Sequence, residues 1–337
     1  MRNGNNIKEV LYIVVPSLRI GGTEKVVSFL CQNIDSSKFE VNLIVLDKIY
    51  IDLYFPNVKI FEFYKRSVIA SIFSLISFIR KSKSNAIFFS FFDHLNIILC
   101  VLSFFKIIRI NKLVLRSSTI LSKYYEYDKK IISLFLAKLF YNKCDLLICQ
   151  SLEMSHDFIT SFNVKNEKIR LIYNPIMISD SIKDHSNNTF YNIFNSSTVK
   201  YLAVGNIRKE KGYFRMIDSF ELINNKIEEA KLFIIGDGPL FSELEQYIKN
   251  KKLDRSVFLL GKVNNPNYFF ANSNVLLFTS YFEGYPNTLI EANYFKLPIV
   301  AFSDCSVINE IIVPNENGFI ADSKSIHDFV QYSINSL

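Results

Sequence analysis

The chain of 337 residues reads as an α/β protein of two doubly wound parallel-sheet domains. Three observations predict this. Short, β-branched apolar runs alternate with segments of helical period from Val10 to Ser333, the pattern of repeated strand–helix units. Glycines punctuate the junctions that follow strands and precede helices, at Gly21-Gly22, Gly205–Gly212, Gly236–Gly238 and Gly284. Those are the positions at which open parallel sheets bind ligands. The length also exceeds what one hydrophobic core organises, and the alternation stops over Ile178–Thr198, which is polar, Asn/Ser-rich and without period. The reading is an N-terminal domain over 1–178, a linker over 179–198 and a C-terminal domain over 199–337.

Val10–Val15 is the first buried strand, and the loop Pro16–Gly22 leads to a helix from Thr23. Gly21 and Gly22 let backbone approach a ligand closely. Lys25 stands in the first helical turn, where its charge opposes the helix dipole unless an anion sits nearby. Val41–Leu46 and Val58–Phe63 are strands, Ser67–Arg80 a helix and Ala86–Phe91 a strand. Phe92-Asp93-His94 follows at the carboxyl end of that strand. Lys112–Arg116 is a strand, Ser133–Phe140 a helix, and Asp145–Gln150 and Lys168–Ile172 are strands before the extended Tyr173-Asn174-Pro175.

The second half restarts with the strand Val199–Val204 and the basic loop Gly205–Gly212, then a helix through Leu222. Arg208, Lys209 and Lys211 stand where a diphosphate would bridge to a helix start; a solvated basic turn is the plain alternative. Lys231–Ile235 ends in Gly236-Asp237-Gly238-Pro239, and a helix runs over Leu240–Asn250. Ser256–Leu260, the short helix Pro266–Asn272 and the strand Asn274–Thr279 follow. Pro298–Phe302 is the next strand, Asn317-Gly318-Phe319 a β-turn and Ser325–Ser333 a last helix.

Apolar residues make up 49% and charged residues 21%, a globular and not a disordered composition. Five cysteines (Cys31, Cys100, Cys144, Cys149, Cys305) contain no Cys-x-x-Cys pair and read as small buried hydrophobes of a reducing compartment. The N-terminal apolar run is short and lacks a small-residue cleavage site, so the expected location is cytoplasmic. The net charge of +7 is uneven: Lys65–Lys143 holds 14 Lys and Arg against three acids, Asp93, Glu126 and Asp128. The same stretch has the apolar runs Val68–Ile79 and Leu95–Ile108, both short of the ~18–20 residues of a membrane span. Basic residues beside Phe-rich segments suit a helix lying on anionic lipid, and equally suit core elements with solvated lysines at their ends. No nucleic-acid-binding signature accompanies the charge, and no His/Asp/Glu spacing suggests a metal.

The most informative stretch is Phe282–Asn293, Phe-Glu-Gly-Tyr-Pro-Asn-Thr-Leu-Ile-Glu-Ala-Asn. Gly284 and Pro286 break the strand, and Asn287 is a suitable N-cap for a helix from Thr288. A helix start offers amides to a phosphate, whereas Glu283 in the turn and Glu291 in the helix accept hydrogen bonds from hydroxyls. Amides for a phosphate beside acceptors for hydroxyls fit a nucleotide sugar. Two solvated glutamates are the plain alternative.

Ser280, Glu283–Asn287, Glu291-Ala292 and Leu297–Ala301 resemble the Glu-x7-Glu signature of the retaining GT-B glycosyltransferases of group 1, the type that builds bacterial surface polysaccharides such as O-antigen, capsule and lipopolysaccharide. The resemblance implies two Rossmann-like domains facing a cleft. It implies transfer of a sugar from a nucleotide diphosphate sugar to a saccharide acceptor, lipid-linked, on the inner face of the plasma membrane, with no further cofactor and no metal. Lys211 and Arg208 would stabilise the leaving diphosphate, and Glu283 would hold sugar hydroxyls at the reacting carbon. Glu291 would grip the ribose. Gly21, Gly22, Gly205, Asn206, Gly236, Gly238, Gly284, Asn287, Thr288 and Leu289 would complete the donor site, and His94 and Arg116 would lie on the acceptor side. The chain departs from the family pattern at Asn206, where an arginine is usual, and at Cys305-Ser306-Val307, where a glycine-rich loop is usual. It also ends before the helix that in relatives returns to the N-terminal domain, which reads as a shortened gene or a looser domain interface. Two other readings share the fold: an epimerase acting on a UDP-sugar, and a catalytically weak partner protein that binds nucleotide sugar.

Overall fold

In the computed structural model, residues 8–18, 21–49, 55, 57–65, 67–176, 189–263 and 265–337 are described. The chain divides into two compact units, Met1–Met177 and Ile178–Leu337. The linker expected over 179–198 lies outside the described residues as far as 188, as do Arg19 and Ile20 of the first glycine loop.

Unit 1 begins with β1 (Glu9–Val15), α1 (Gly22–Asn33), β2 (Phe39–Val45), β3 (Lys59–Glu62), α2 (Val68–Lys81), β4 (Ile87–Ser90) and α3 (Asp93–Phe104). It continues with β5 (Lys112–Arg116), α4 (Leu121–Tyr127), α5 (Ile131–Phe140), β6 (Leu146–Cys149), α6 (Leu152–Phe162) and β7 (Ile169–Leu171). The strands form one parallel sheet in the order β3-β2-β1-β4-β5-β6-β7. Chain direction across the sheet reverses between β1 and β4, the switch at which doubly wound sheets open a crevice at their carboxyl ends. Both faces are covered, so the strands are near-continuous Val/Ile/Leu/Phe. α2, α3, α5 and α6 pack on one face and α1 on the other.

Serine caps set two of these helices: Ser67 Oγ accepts Ala70 N–H at 3.1 Å and Ser151 Oγ accepts Met154 N–H at 3.1 Å. Helix α6, between the two strands expected at Asp145–Gln150 and Lys168–Ile172, is an element not expected from sequence. Ser151 precedes Met154, Phe158 and Phe162, spaced four apart and all buried. All five cysteines are free and buried, and burial pushes the thiols of Cys31, Cys144 and Cys149 up to about 12.

Unit 2 contains α7 (Thr189–Ser196), β8 (Val199–Val204), α8 (Tyr213–Asn224), β9 (Ala230–Ile235), α9 (Phe241–Asn250), β10 (Val257–Gly261) and α10 (Asn267–Asn272). Then come β11 (Val275–Phe278), α11 (Asn287–Tyr294), β12 (Ile299–Phe302), β13 (Gly318–Ala321) and α12 (Ile326–Asn335). The sheet is parallel in the order β10-β9-β8-β11-β12-β13, with its switch between β8 and β11. Three local readings differ from the expectation. The end of the supposed linker is the helix α7, because Tyr191 and Phe194 give it an apolar face buried against Phe233 and Phe269. The turn at Gly318 opens a sixth strand, β13, paired with β12 from Ile299↔Gly318 to Phe302↔Ala321. Asn287 is not the cap of α11 but its first residue: Pro286 holds the cap position, no side chain caps the end, and Thr288 Oγ1 donates to Val204 O at 3.1 Å.

Candidate functional site

The side chains singled out in unit 2 gather where β8, β9 and β11 end, at the switch of that sheet. Two glycines let these loops touch backbone to backbone. Gly236, at φ 150°, lies so close to Gly205 that a Cβ would stand 1.9 Å from Gly205 O. Gly212, at φ 66°, lies under the end of β11, where a Cβ would stand 2.3 Å from Thr279 O. Ile207 N–H donates to Asp237 O at 2.9 Å, and Thr279 Oγ1 donates to the carbonyls of Lys211 at 2.9 Å and Gly212 at 3.1 Å. The basic loop is therefore bound on both sides.

This backbone frame sets Lys211 against Glu283. The Lys211 ammonium is ion-paired to Glu283 Oε1, and Ser280 Oγ donates to the same oxygen at 2.8 Å. The two side chains are 25% and 15% exposed, half-sheltered yet open to a ligand. An ammonium carries three donors, so two remain for phosphate oxygens. Lys211 and Ser280 both meet Oε1 of Glu283, and a carboxylate is an acceptor only. A charged donor thus stands directly beside a carboxylate, next to the start of α11. Gly284 is buried in the turn, and Thr288 ties the helix start to the end of β8. Leu289 enters the core completely and donates its N–H to Pro286 O at 3.0 Å, so its part is to seat the helix. Asn206 and Arg208 are exposed on the same loop, Gly238 lies on the turn after β9, and Glu291 is half-buried on α11.

Arg215 was not singled out by sequence. Its guanidinium donates to Thr279 O from Nε at 2.9 Å and to Asp304 Oδ2 at 2.6 Å. It also lies 4.0 Å from the Tyr281 ring centroid and 4.6 Å from that of Phe302. It clamps the carbonyl at the end of β11, three residues before the Glu283 turn begins at Phe282. The only sequence signal is a cation in the first turn of α8, where the dipole disfavours it. Tyr213, beside it, donates to Gly205 O at 2.8 Å; burial, then the Glu283 charge, raise its hydroxyl pKa.

Gly21, Gly22, His94 and Arg116 belong to unit 1, at the carboxyl ends of β1, β4 and β5. Gly21 precedes α1, and a Cβ there would stand 2.4 Å from Glu24 Oε2, so an acid as well as Lys25 occupies this helix start. His94 is exposed in the first turn of α3; desolvation and then the Lys130 charge hold its pKa below the ordinary histidine value. Arg116 is 4% exposed, bonded to Asn174 Oδ1, with its guanidinium 5.7 Å from the Phe91 ring centroid. Burial lowers its pKa to about 10 against the opposing charge of Asp93.

Sequence reading passed over the role of Asp93. It is buried at the start of α3, where Ser117 Oγ donates to Oδ1 at 2.7 Å and Tyr141 Oη at 2.8 Å. Burial outweighs these bonds and raises its pKa to about 6. A carboxyl near 6 when folded and near 4 when unfolded favours the protonated fold. Its stabilisation is complete below pH ~4 and about 3 kcal/mol is lost as the pH rises through the folded value. Asp93→Asn keeps an acceptor for both hydroxyls without the charge. The expected result is a melting temperature above that of the parent at pH 7.5 and equal to it near pH 4, measured by calorimetry across the range. A pH-independent difference would contradict the assignment.

Residues 186–337, most of unit 2, match the family model of glycosyl transferases group 1. The chain is similar to an uncharacterized glycosyltransferase of Methanocaldococcus jannaschii, 34% identical over 213 residues, covering 62% of this chain and 51% of the relative. The match thus spans about half the length of that relative. Over 327 residues it is 28% identical to N-acetylgalactosamine-N,N'-diacetylbacillosaminyl-diphospho-undecaprenol 4-alpha-N-acetylgalactosaminyltransferase of Campylobacter jejuni, covering 93% of this chain and 86% of the relative. Among solved structures, Anabaena HepE in complex with UDP-glucose superposes with a TM-score of 0.73 at 17% identity, covering 97% of this chain and 89% of HepE. That likeness carries the fold, which is GT-B: two parallel α/β sheets of seven and six strands.

Proposed function

We propose that the chain is a retaining glycosyltransferase. It moves a sugar from a nucleotide diphosphate sugar to a saccharide carried on a lipid diphosphate, in the assembly of a bacterial surface polysaccharide. The observation that carries this reading is the Lys211–Glu283 pair at the β8/β11 switch, a charged donor and a hydroxyl acceptor side by side in a loop frame closed by glycines. Lys211 stabilises charge growing on the leaving diphosphate, an electrostatic role that needs no metal. Exposed Arg208, two residues from the usual arginine position, adds a second cation to that phosphate. Glu283 takes sugar hydroxyls next to the reacting carbon, and Glu291, one turn into α11, takes the ribose. Retention fits a front-face route in which the leaving diphosphate accepts the acceptor's proton, since no partner carboxylate across the sugar has been assigned as the second group of a double displacement. The lipid-carried acceptor follows the name of the Campylobacter relative and sets the reaction at a bilayer surface.

The test is a panel of UDP- and GDP-sugars in a melting experiment, followed by product analysis. A ligand at ~100 times its Kd adds about 2.7 kcal/mol to stability, a clear shift in melting temperature. The expected result is one nucleotide series that shifts the transition and transfers its sugar with the anomeric configuration kept. Epimerised donor would point to the epimerase, and binding without turnover to a partner protein.

A further inference from the structure

Helix α5 is apolar on both sides. Ala137 and Phe140 on its inner side are buried in the core of unit 1. Its outer side carries Ile131, Ile132, Phe135 and Leu139, which are 75%, 77%, 60% and 50% exposed. At about 100° per residue these four share one arc of the helix, and only Lys138 joins them there. A surface helix ordinarily turns its polar side outward. The apolar surface continues beyond α5: the rings of Phe104 and Phe105, also largely exposed, lie 5.1 and 6.1 Å from the ring of Phe140. The next turn holds exposed Ile107, whose carbonyl accepts Arg80 Nε–H at 3.0 Å.

Cations border this surface. Lys143 Nζ stands 5.0 Å over the Phe104 ring, with Lys106 and Lys138 exposed beside it and Arg80 at the far edge. Among the described residues none of Lys106, Lys138 and Lys143 has an acidic partner. Of the acids flanking α5, Asp128 is paired with Lys130 at 2.9 Å and Asp145 accepts Leu113 N–H at 2.7 Å, leaving Glu126 on α4. A second copy of the chain would present the same basic face, and like charges would oppose the pairing. Anionic lipid complements both features: apolar side chains enter the acyl boundary while ammonium groups remain at the headgroup phosphates. No helix among the described residues is long and apolar enough to cross a membrane, so this contact lies along the surface.

We propose that unit 1 docks on an anionic bilayer through the outer side of α5 together with Phe104 and Phe105. The inference deepens the proposed function by naming the surface that meets a lipid-carried acceptor, and rests on that reading for its purpose only. Flotation with phosphatidylcholine vesicles and with phosphatidylcholine–phosphatidylglycerol vesicles tests it. The parent protein should bind the mixed vesicles more tightly, and added salt should weaken that binding. Lys106→Gln with Lys138→Gln should weaken it about 25-fold, roughly fivefold per lost charge, without affecting the neutral vesicles. Ile132→Ser with Phe135→Ser should weaken both by about tenfold or more. All variants should keep the parent melting temperature, since the replaced side chains are exposed. Binding to neither vesicle, equal binding to both, or serine variants that lose self-association in ultracentrifugation in place of lipid binding would each overturn the proposal. Nucleotide titration of the parent separates the two ideas: vesicle binding without nucleotide binding keeps the docking face and overturns the transferase reading, and nucleotide binding without vesicle binding does the reverse.

Discussion

Glu283→Gln is expected to lower kcat for sugar transfer by about 10²–10³-fold and to leave donor KM nearly unchanged, the pattern of a contact that strengthens in the transition state. The replacement keeps the shape of the turn and an oxygen for Ser280, but loses the charge paired with Lys211. Positive charge grows at the anomeric carbon as the bond to the diphosphate breaks, and a carboxylate holding adjacent hydroxyls responds to it more than an amide does. Glu291→Gln is the control. The ribose does not change during the reaction, so the expected effect is a donor KM raised by one or two weakened hydrogen bonds at ~1 kcal/mol each, with kcat retained. Both variants should fold, because neither carboxylate lies in the core. Reversed effects would mean that the donor lies the other way across this motif. Full activity in both would remove Glu283 and Glu291 from the donor site.

The largest effect on stability is expected at Gly236. Its φ of 150° is outside the regions open to side chains, and an added Cβ would stand 1.9 Å from Gly205 O. Neither atom can yield without shifting the loop that carries Lys211. Gly236→Ala should therefore cost about 3–5 kcal/mol, at the upper end for a single substitution. Gly261→Ala is the comparison: its φ is 67°, nothing lies within 4 Å, and the cost should be near ~1 kcal/mol from the backbone conformation alone. Urea unfolding of both variants measures the contrast. Equal midpoints would show that the two loops do not press on each other as described.

The strand–helix alternation was legible because buried parallel strands cannot hide: Val199–Val204 and Lys112–Arg116 are read from sequence with their final boundaries. Helix α7 was less so, since its Asn/Ser-rich stretch has linker composition and only the spacing of Tyr191 and Phe194 betrays a buried face. β13 is short and begins with a glycine, so turn chemistry masked its pairing. In the site, Lys211 and Glu283 were readable as residue types at loop positions. Their direct contact was not, because 72 residues separate them and the sheet order that joins β8 to β11 is a property of topology. Arg215 and Asp93 were missed for the same reason. Their importance lies in what surrounds them, Thr279, Tyr281 and Asp304 for one and Ser117 and Tyr141 for the other.

The central claim is that Lys211 holds a nucleotide diphosphate at the β8/β11 switch. Calorimetric titration of the parent chain and of Lys211→Ala with UDP and with GDP tests it most directly. The account predicts binding of one of the two nucleotides by the parent, weakened by ~1.5–3 kcal/mol in the variant, the size of one lost charge-assisted phosphate contact. Unchanged affinity in Lys211→Ala would place the diphosphate elsewhere and contradict the account.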